Sequence, residues 1–463
     1  MNFFKKYKNI FFLGLLGGLA FPPLYLIIFL PISFYYLLKK IVNCNNYKEV
    51  FLYGLIFGFG YYLTQIYWIS FSLFVDIKTY FWLFPFAISI IPLACAFYIS
   101  LSILLTFYLI KKFSIKNNFL ISIIFAFSYV IFEYLKGFIF PWNLFAYIIG
   151  FSNILSQIVS IINIYILDFI LIIFSCFGFV LIDFENKKFQ NKNYTVIYII
   201  IFLIILIFGI VRLHNTETIE LNQNFRLIQA NIKQSAKWNR NESENNLKKH
   251  IELSSQEGLD KTDIIVWSES SMPFLLTKNS TLDENFDILK DKIIITGAVR
   301  GEIKNNKIEK VWNSIFIFKN KEIIDYYDKT VLVPFGEYIP FSKYIPFIEK
   351  LTDGAINFSR GEKNRTIEIN GLKISPIICY EVIFPNKVID KNNKPDIIIN
   401  LTNDGWFGIS SGPYQHLVAA QFRAIENKIP IIRVSNSGIS AYIDEYGRIK
   451  AKMNLQKVGI LDI

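Results

Sequence analysis

LKISPIICYE, residues 372–381, is an almost unbroken apolar run that stops at a cysteine, a tyrosine and a glutamate. A run of this kind predicts a β-strand buried on both faces, as in a sheet covered on each side. Similar runs occur at FRLIQANI (225–232), DIIVWSES (263–270), KIIITGAV (292–299), VWNSIFIF (311–318), DIIINLTND (396–404), IPIIRVSNSG (429–438) and VGILDI (458–463). Polar stretches separate them, and 243–257 and 414–427 read as helices. The pattern predicts an α/β domain with a large core over residues 214–463.

Cys379 ends its strand as the one cysteine after residue 213; Cys44, Cys95 and Cys176 lie earlier. With no CxxC and no second thiol, this region has no internal disulfide. A buried cysteine at a strand end is more often structural than reactive. A reactive thiol needs a base, and a carboxylate serves if burial raises its affinity for protons. Glu269 ends the strand IIVWSE, and Lys329 lies in YYDKTVLVPFGEYIP (326–340). A lysine ammonium close to the sulfur would stabilise a thiolate and then an oxyanion. His214, His250 and His416 have no metal-ligand spacing, which argues against a zinc site.

The first 213 residues are of another kind. The whole chain is 53% hydrophobic and 17% aromatic, with a mean hydropathy of +0.38, and the apolar excess is concentrated here. Apolar stretches fall at about 10–38, 51–74, 81–110, 118–135, 158–182 and 194–211, long enough for spans of ~20 residues. Pro22-Pro23 interrupts the first. The net charge of +11 belongs mainly to this half: residues 1–213 hold 15 Lys and Arg against 6 Asp and Glu, the remainder 33 against 31. The excess sits in short loops, which fits the positive-inside rule and argues against a nucleic-acid face. Splitting the first stretch into two short spans puts Lys5, Lys6, Lys8, Lys39, Lys40, Lys48, Lys111, Lys112, Lys116, Lys187, Lys188 and Lys192 on one side. The expectation is seven spans with the N-terminus cytoplasmic, a transmembrane domain over 1–213 and an extracytoplasmic domain over 214–463. The N-terminus lacks a cleavage site and reads as a retained helix. Within FEYLKGFIFPWNLFAY (132–147), Glu133 and Lys136 share a helix face. Ionisable groups at membrane depth are costly and often functional; the alternative is a lysine snorkelling at the outer interface beside a paired glutamate.

WSESSMPF (267–274), DKTVLVPFGEYIP (328–340), ICYE (378–381) and NDGWFG (403–408), in this order, resemble the carbon–nitrogen hydrolase (nitrilase) superfamily with its Glu–Lys–Cys triad. The apolar half, with QANIKQSAKWNR (229–240) and LVPFGEYIPF (332–341), is similar to its membrane-bound branch, the apolipoprotein N-acyltransferases. The resemblance covers nearly the whole chain. It implies a four-layer α-β-β-α sandwich beside a polytopic helical domain in the bacterial inner membrane, with no cofactor or metal. Carried over by motif, Cys379 would be the nucleophile, Glu269 the general base and Lys329 the oxyanion stabiliser. Glu337 would be a second carboxylate near the thiol. Tyr380 and Glu381 would shape the site, with the Tyr380 N–H an oxyanion donor. Trp238, Val333 and Trp406 would line a substrate entrance, against a plain packing role for the two tryptophans. Phe358, in DGAINFSRG (353–361), would sit on a mobile lid, and Glu133 and Lys136 are further substrate-binding candidates. The implied reaction moves an acyl chain from a phospholipid through a cysteine thioester to the α-amine of a diacylglyceryl-cysteine lipoprotein. The protein is expected to act as a monomer.

The resembling family usually carries a further apolar helix after this domain, whereas the sequence ends at VGILDI. Activity is expected to survive that difference, since the motifs precede it. Two rival readings stand beside this one. A membrane-anchored amidase would use water as acceptor and release free acid or ammonia. A non-catalytic binding protein or transporter would need a polar face through several spans, for which Glu133, Lys136 and Asp168 are the only candidates.

Overall fold

The apolar runs are strands whose alternate residues enter two different cores. In the computed structural model, which describes residues 2–183, 188–189, 192–214, 219, 221–237, 239–305, 307–340 and 357–463, Ile264 and Val266 join one cluster while Ile265 and Trp267 join another. Ile315 and Ile317 likewise separate from Phe316 and Phe318. Successive side chains of a strand point to opposite faces, so a strand covered on both sides needs apolar residues at every position.

The chain divides into two units, residues Met1–Phe71 with Thr79–Thr216, and Ser72–Lys78 with Glu217–Ile463. In the second, the strands are β1 (Phe225–Gln229), β2 (Ile264–Trp267), β3 (Leu275–Leu276), β4 (Ile293–Lys304), β5 (Lys307–Lys319), β6 (Glu322–Asp328), β7 (Ile367–Ile369), β8 (Leu372–Ile378), β9 (Ile397–Thr402), β10 (Ile431–Ser435), β11 (Ser440–Ile443), β12 (Ile449–Met453) and β13 (Gly459–Asp462). One sheet runs β13-β1-β2-β4-β5-β6 with β3 paired to β4, the other β12-β11-β10-β9-β8-β7. Their facing sides share a core of Leu227, Val266, Ile295 and Ile317 from the first and Ile374, Ile399, Leu401 and Val434 from the second. The helix Ser243–Ser254 contributes Leu247 and Leu253 to the outer core of the first sheet. Gly412–Asn427 packs on β10 of the second. The result is the expected α-β-β-α sandwich. Strands β1, β2 and β4 are parallel, as are β8, β9 and β10. Open parallel sheets bind ligands beyond their carboxyl ends, and there the candidate residues gather.

Among its described residues, the first unit contains seven α-helices of twelve residues or more: α1 (Asn2–Gly18), α2 (Phe29–Val42), α3 (Tyr47–Ile66), α4 (Phe84–Lys112), α5 (Asn118–Gly137), α6 (Ile164–Ser175) and α7 (Lys192–His214). The stretch holding Pro22-Pro23 is divided between α1 and α2. The apolar run 158–182 is not one helix: Asn163 caps α6 through a bond from the Tyr165 N–H, and Gln157–Ser160 is a separate 3-10 turn. Among the described residues, four stretches are long and apolar enough to cross a membrane: Tyr47–Val75, Phe81–Lys112, Asn118–Gly137 and Asn193–His214. On α7, Val196, Ile199, Ile200, Ile204 and Ile207 are all exposed, as lipid contact requires and water would penalise. Helices α3 and α4 approach closely because Gly54 and Gly58 carry no side chain. A Cβ there would lie 2.7 Å from Ser100 Cα and 2.9 Å from Ala96 Cα, the small-residue packing that lets helices associate in lipid.

Candidate active site

Glu269 follows β2, Lys329 follows β6 and Cys379 follows β8, so three separate strands deliver them to one place. Lys329 Nζ lies 2.9 Å from Glu337 Oε1 and 3.7 Å from Glu269 Oε1. Asn313, on β5, joins the two acids: its Nδ2 donates to Glu269 Oε1 and to Glu337 Oε1, each at 2.8 Å. The Asn313 carbonyl also accepts from the Lys329 backbone N–H at 2.9 Å. All four side chains are buried.

Burial, reinforced by the Glu269 carboxylate, pushes the Cys379 thiol up to about 12, with Lys329 pulling the other way. The resting group is therefore a thiol, and a base must take its proton. Burial works against the charge on Lys329 as well. The Glu337 and Glu269 carboxylates outweigh it and hold the ammonium well above its ordinary 10.5.

Cys379 turns the chain sharply, with φ +48, a left-handed conformation that costs a residue with a Cβ about 1–2 kcal/mol. Two buried side chains hold it there. Glu381 Oε2 accepts from the Ile378 N–H at 2.7 Å. Its Oε1 accepts from the Thr330 N–H and hydroxyl, both at 2.7 Å, from the Val331 N–H at 3.1 Å and from the Tyr327 hydroxyl at 2.9 Å. One carboxylate thus ties the cysteine turn to the segment after Lys329. From the other side, His416 Nε2 donates to the Cys379 carbonyl at 3.2 Å. Asp404 stands behind it, 2.9 Å from Nδ1, and Arg433 donates to Asp404 at 2.7 Å. Burial would push the Asp404 carboxyl up, but Arg433 and His416 hold it down at about 2.

Of the other sequence candidates, Val333 and Phe358 are drawn to Glu337. The Val333 N–H donates to Glu337 Oε2 at 2.8 Å, and the Phe358 N–H to the Glu337 carbonyl at 2.9 Å. Phe358 also bridges to Val311; residues 353–356 of the expected lid lie outside the described residues. Tyr380 packs edge-on against Phe384, ring centroids 5.2 Å apart. Trp406 is half-buried in the turn Asp404–Phe407. Trp238 lies outside the described residues. Glu133 and Lys136 belong to the helical unit, 2.8 Å apart and 3% and 2% exposed, with Lys136 donating to Tyr62 at 3.0 Å. Burial excludes the snorkelling alternative: the ammonium is turned into the unit instead of reaching its surface.

The sequence reading missed Asn313, His416, Asp404, Arg433 and Lys237. The last is buried and donates to the Glu269 main-chain carbonyl at 2.6 Å. Asn313 left a signal, a lone amide inside the apolar run VWNSIFIF. The His416 cluster left none, since its members are brought together only by folding.

A strand-end cysteine held beside a carboxylate–lysine pair matches what the chain resembles in sequence. Residues 225–463 match the carbon-nitrogen hydrolase family model, and residues 13–177 match the apolipoprotein N-acyltransferase N-terminal domain. The chain is 38% identical over 461 residues to the apolipoprotein N-acyltransferase of Rickettsia prowazekii, covering 97% of this chain and 90% of that protein. It is 35% identical over 427 residues to that of Rhodopseudomonas palustris, covering 88% and 79%. A solved carbon-nitrogen hydrolase from Helicobacter pylori is 16% identical, with 52% of this chain and 88% of that one covered and a TM-score of 0.38. With both its helical and its sandwich regions matched, and relatives aligned over most of their length, the chain belongs to the apolipoprotein N-acyltransferase family.

Proposed function

We propose that this protein transfers an acyl chain from a phospholipid to the α-amine of the N-terminal diacylglyceryl-cysteine of apolipoproteins, through a thioester on Cys379. The observation that carries the mechanism is that Glu269 and Lys329, the latter ion-paired to Glu337, act on the buried Cys379 thiol. Glu269 takes the Sγ proton as the sulfur attacks the ester carbonyl. The negative charge passes to the carbonyl oxygen, which the Lys329 ammonium and the Tyr380 N–H stabilise. Collapse expels the lysophospholipid alkoxide, which recovers the proton from Glu269. The lipoprotein amine then attacks the thioester and gives a proton to Glu269. The sulfur leaves and takes that proton back from Glu269, so the thiol and the base are restored and an amide remains.

Ester-to-thioester exchange is nearly balanced, while amide formation from a thioester runs downhill. Water would divert the intermediate, so a buried sulfur suits transfer better than hydrolysis. The helical unit supports lipid substrates for both halves of the reaction. Seven crossings, as expected from the sequence, with the basic loops cytoplasmic would put the second unit outside the cytoplasm; among the described residues, four of them are the stretches long and apolar enough to span.

The test is incubation of the purified protein with phosphatidylethanolamine and a diacylglyceryl-cysteine peptide, with products read by mass spectrometry. N-acylated peptide with stoichiometric lysophospholipid is expected. Free fatty acid with unmodified peptide would overturn the reading in favour of a hydrolase.

A further inference from the structure

Two lysines lie buried around Glu269, and their partners differ. Lys329 stands against two carboxylates, 2.9 Å from Glu337 and 3.7 Å from Glu269. Lys237, at the end of the short helix Gln234–Lys237, is 5% exposed. Its Nζ donates to the Glu269 main-chain carbonyl at 2.6 Å, and among the described residues no carboxylate forms an ion pair with it. An ammonium has three donors, and this contact uses one. A buried ammonium without a counter-ion is costly and marks a site where charge is used.

The charge count supplies the use. With each group in its ordinary ionic form, Glu269 and Glu337 carry two negative charges against one positive charge on Lys329. That surplus opposes a thiolate at Cys379. Lys237 makes the set neutral. Burial lowers Lys237 to about 8, while Glu269 and Cys379 pull it part of the way back. The coupling is reciprocal: a thiolate that favours the ammonium is itself favoured by it.

We propose that Lys237 is a positioning residue for the acyl transfer, the second cation of the site, whose charge stabilises the Cys379 thiolate while Lys329 is held by the two carboxylates. This rests on the reading of Cys379 as the nucleophile. The titratable groups facing Lys237 are Glu269, Cys379 and, from Ser243–Ser254, His250. Burial lowers His250 to about 4, so it is neutral and adds no charge at working pH. Besides Lys237, the groups facing the thiol are Glu269, Lys329 and Asp404.

A purely structural role, in which the bond to the Glu269 carbonyl merely fixes the turn, makes a different prediction. Lys237→Gln keeps an N–H donor and loses the charge. Lys237→Arg keeps both. Lys237→Met loses both. The measurement is the rate of iodoacetamide alkylation at the Cys379 peptide, followed by mass spectrometry on the full-length protein in detergent across about pH 6 to 10. Lys237→Gln and Lys237→Met are expected to react about tenfold more slowly at neutral pH, with the profile displaced upward by about one unit. Lys237→Arg should stay within about twofold of wild type. A Lys237→Gln protein that reacts like wild type overturns the inference, whatever Lys237→Met does. If Lys237→Met fails to fold, the Gln and Arg variants decide alone. A wild-type thiol inert at every pH would overturn the nucleophile reading itself; a reactive wild type with Gln unmoved overturns this inference only.

Discussion

The two units each bury a lysine against glutamate, and the two sites are built on opposite principles. Lys136 and Glu133 are neighbours on one helix, 2.8 Å apart, one base for one acid, with Tyr62 filling a further bond. Lys329 meets Glu269 and Glu337, which come from elements 60 and 8 residues away, and Asn313 is shared between both acids. The first is a closed pair whose charges cancel locally. The second sets two acids around Lys329, with Lys237 behind Glu269, a thiol and a strained turn, so protons have somewhere to go. What separates the two sites is the count and origin of the partners, since the residue types are the same.

The largest effect that sharpens this contrast is in the chemistry. Glu269→Gln removes the base and should slow acyl-enzyme formation by about 10³-fold, read as the initial rate of adduct appearance. An equal loss in Glu133→Gln would erase the distinction between the sites. The next effect is on stability. Glu133→Gln leaves the Lys136 charge buried without its counter-ion and should destabilise the protein by about 3 kcal/mol, measured as a fall in the detergent melting temperature. Glu133→Gln with Lys136→Met should recover most of it, because a closed pair can be exchanged as a unit. A double variant no more stable than the single one would break the comparison.

The smallest effect concerns the cluster beneath Cys379. Asp404 is held at about 2, below its ordinary 3.8, by Arg433 and His416 against the opposing pull of burial. A depressed acid contributes stability above its unfolded value and loses it as the pH falls through the folded one. The contribution, about 2 kcal/mol, should be complete above about pH 4 and vanish toward pH 2. Guanidinium unfolding of wild type and Asp404→Asn at pH 5 and pH 3 checks this: the gap between them should narrow at the lower pH.

The strands most readily read from sequence were those buried on both faces, because LKISPII or DIIINL admits no other efficient arrangement. The strands Ile367–Ile369 and Ile449–Met453 escaped because they lie at the edges of their sheet, where one apolar face suffices and polar residues interrupt the run. The division of the first apolar stretch was read from the lysines on both flanks, with Pro22-Pro23 marking an interruption that cannot continue a helix ladder. The break in 158–182 rests on the Asn163 cap, a signal present in the sequence and outweighed by the apolar residues around it. At the site, Glu269, Lys329 and Cys379 were named through motifs; strand ends alone would not have joined them. Asn313, His416 and Arg433 sit far apart in the chain, and their roles exist only once β5, β10 and Gly412–Asn427 are packed.

The most direct test of the account is the intact mass of the purified protein after incubation with phosphatidylethanolamine, wild type beside Cys379→Ala. The account predicts a gain of one acyl chain on wild type, released by hydroxylamine, and no gain on the variant. An adduct that persists in Cys379→Ala, or that hydroxylamine leaves in place, would contradict it.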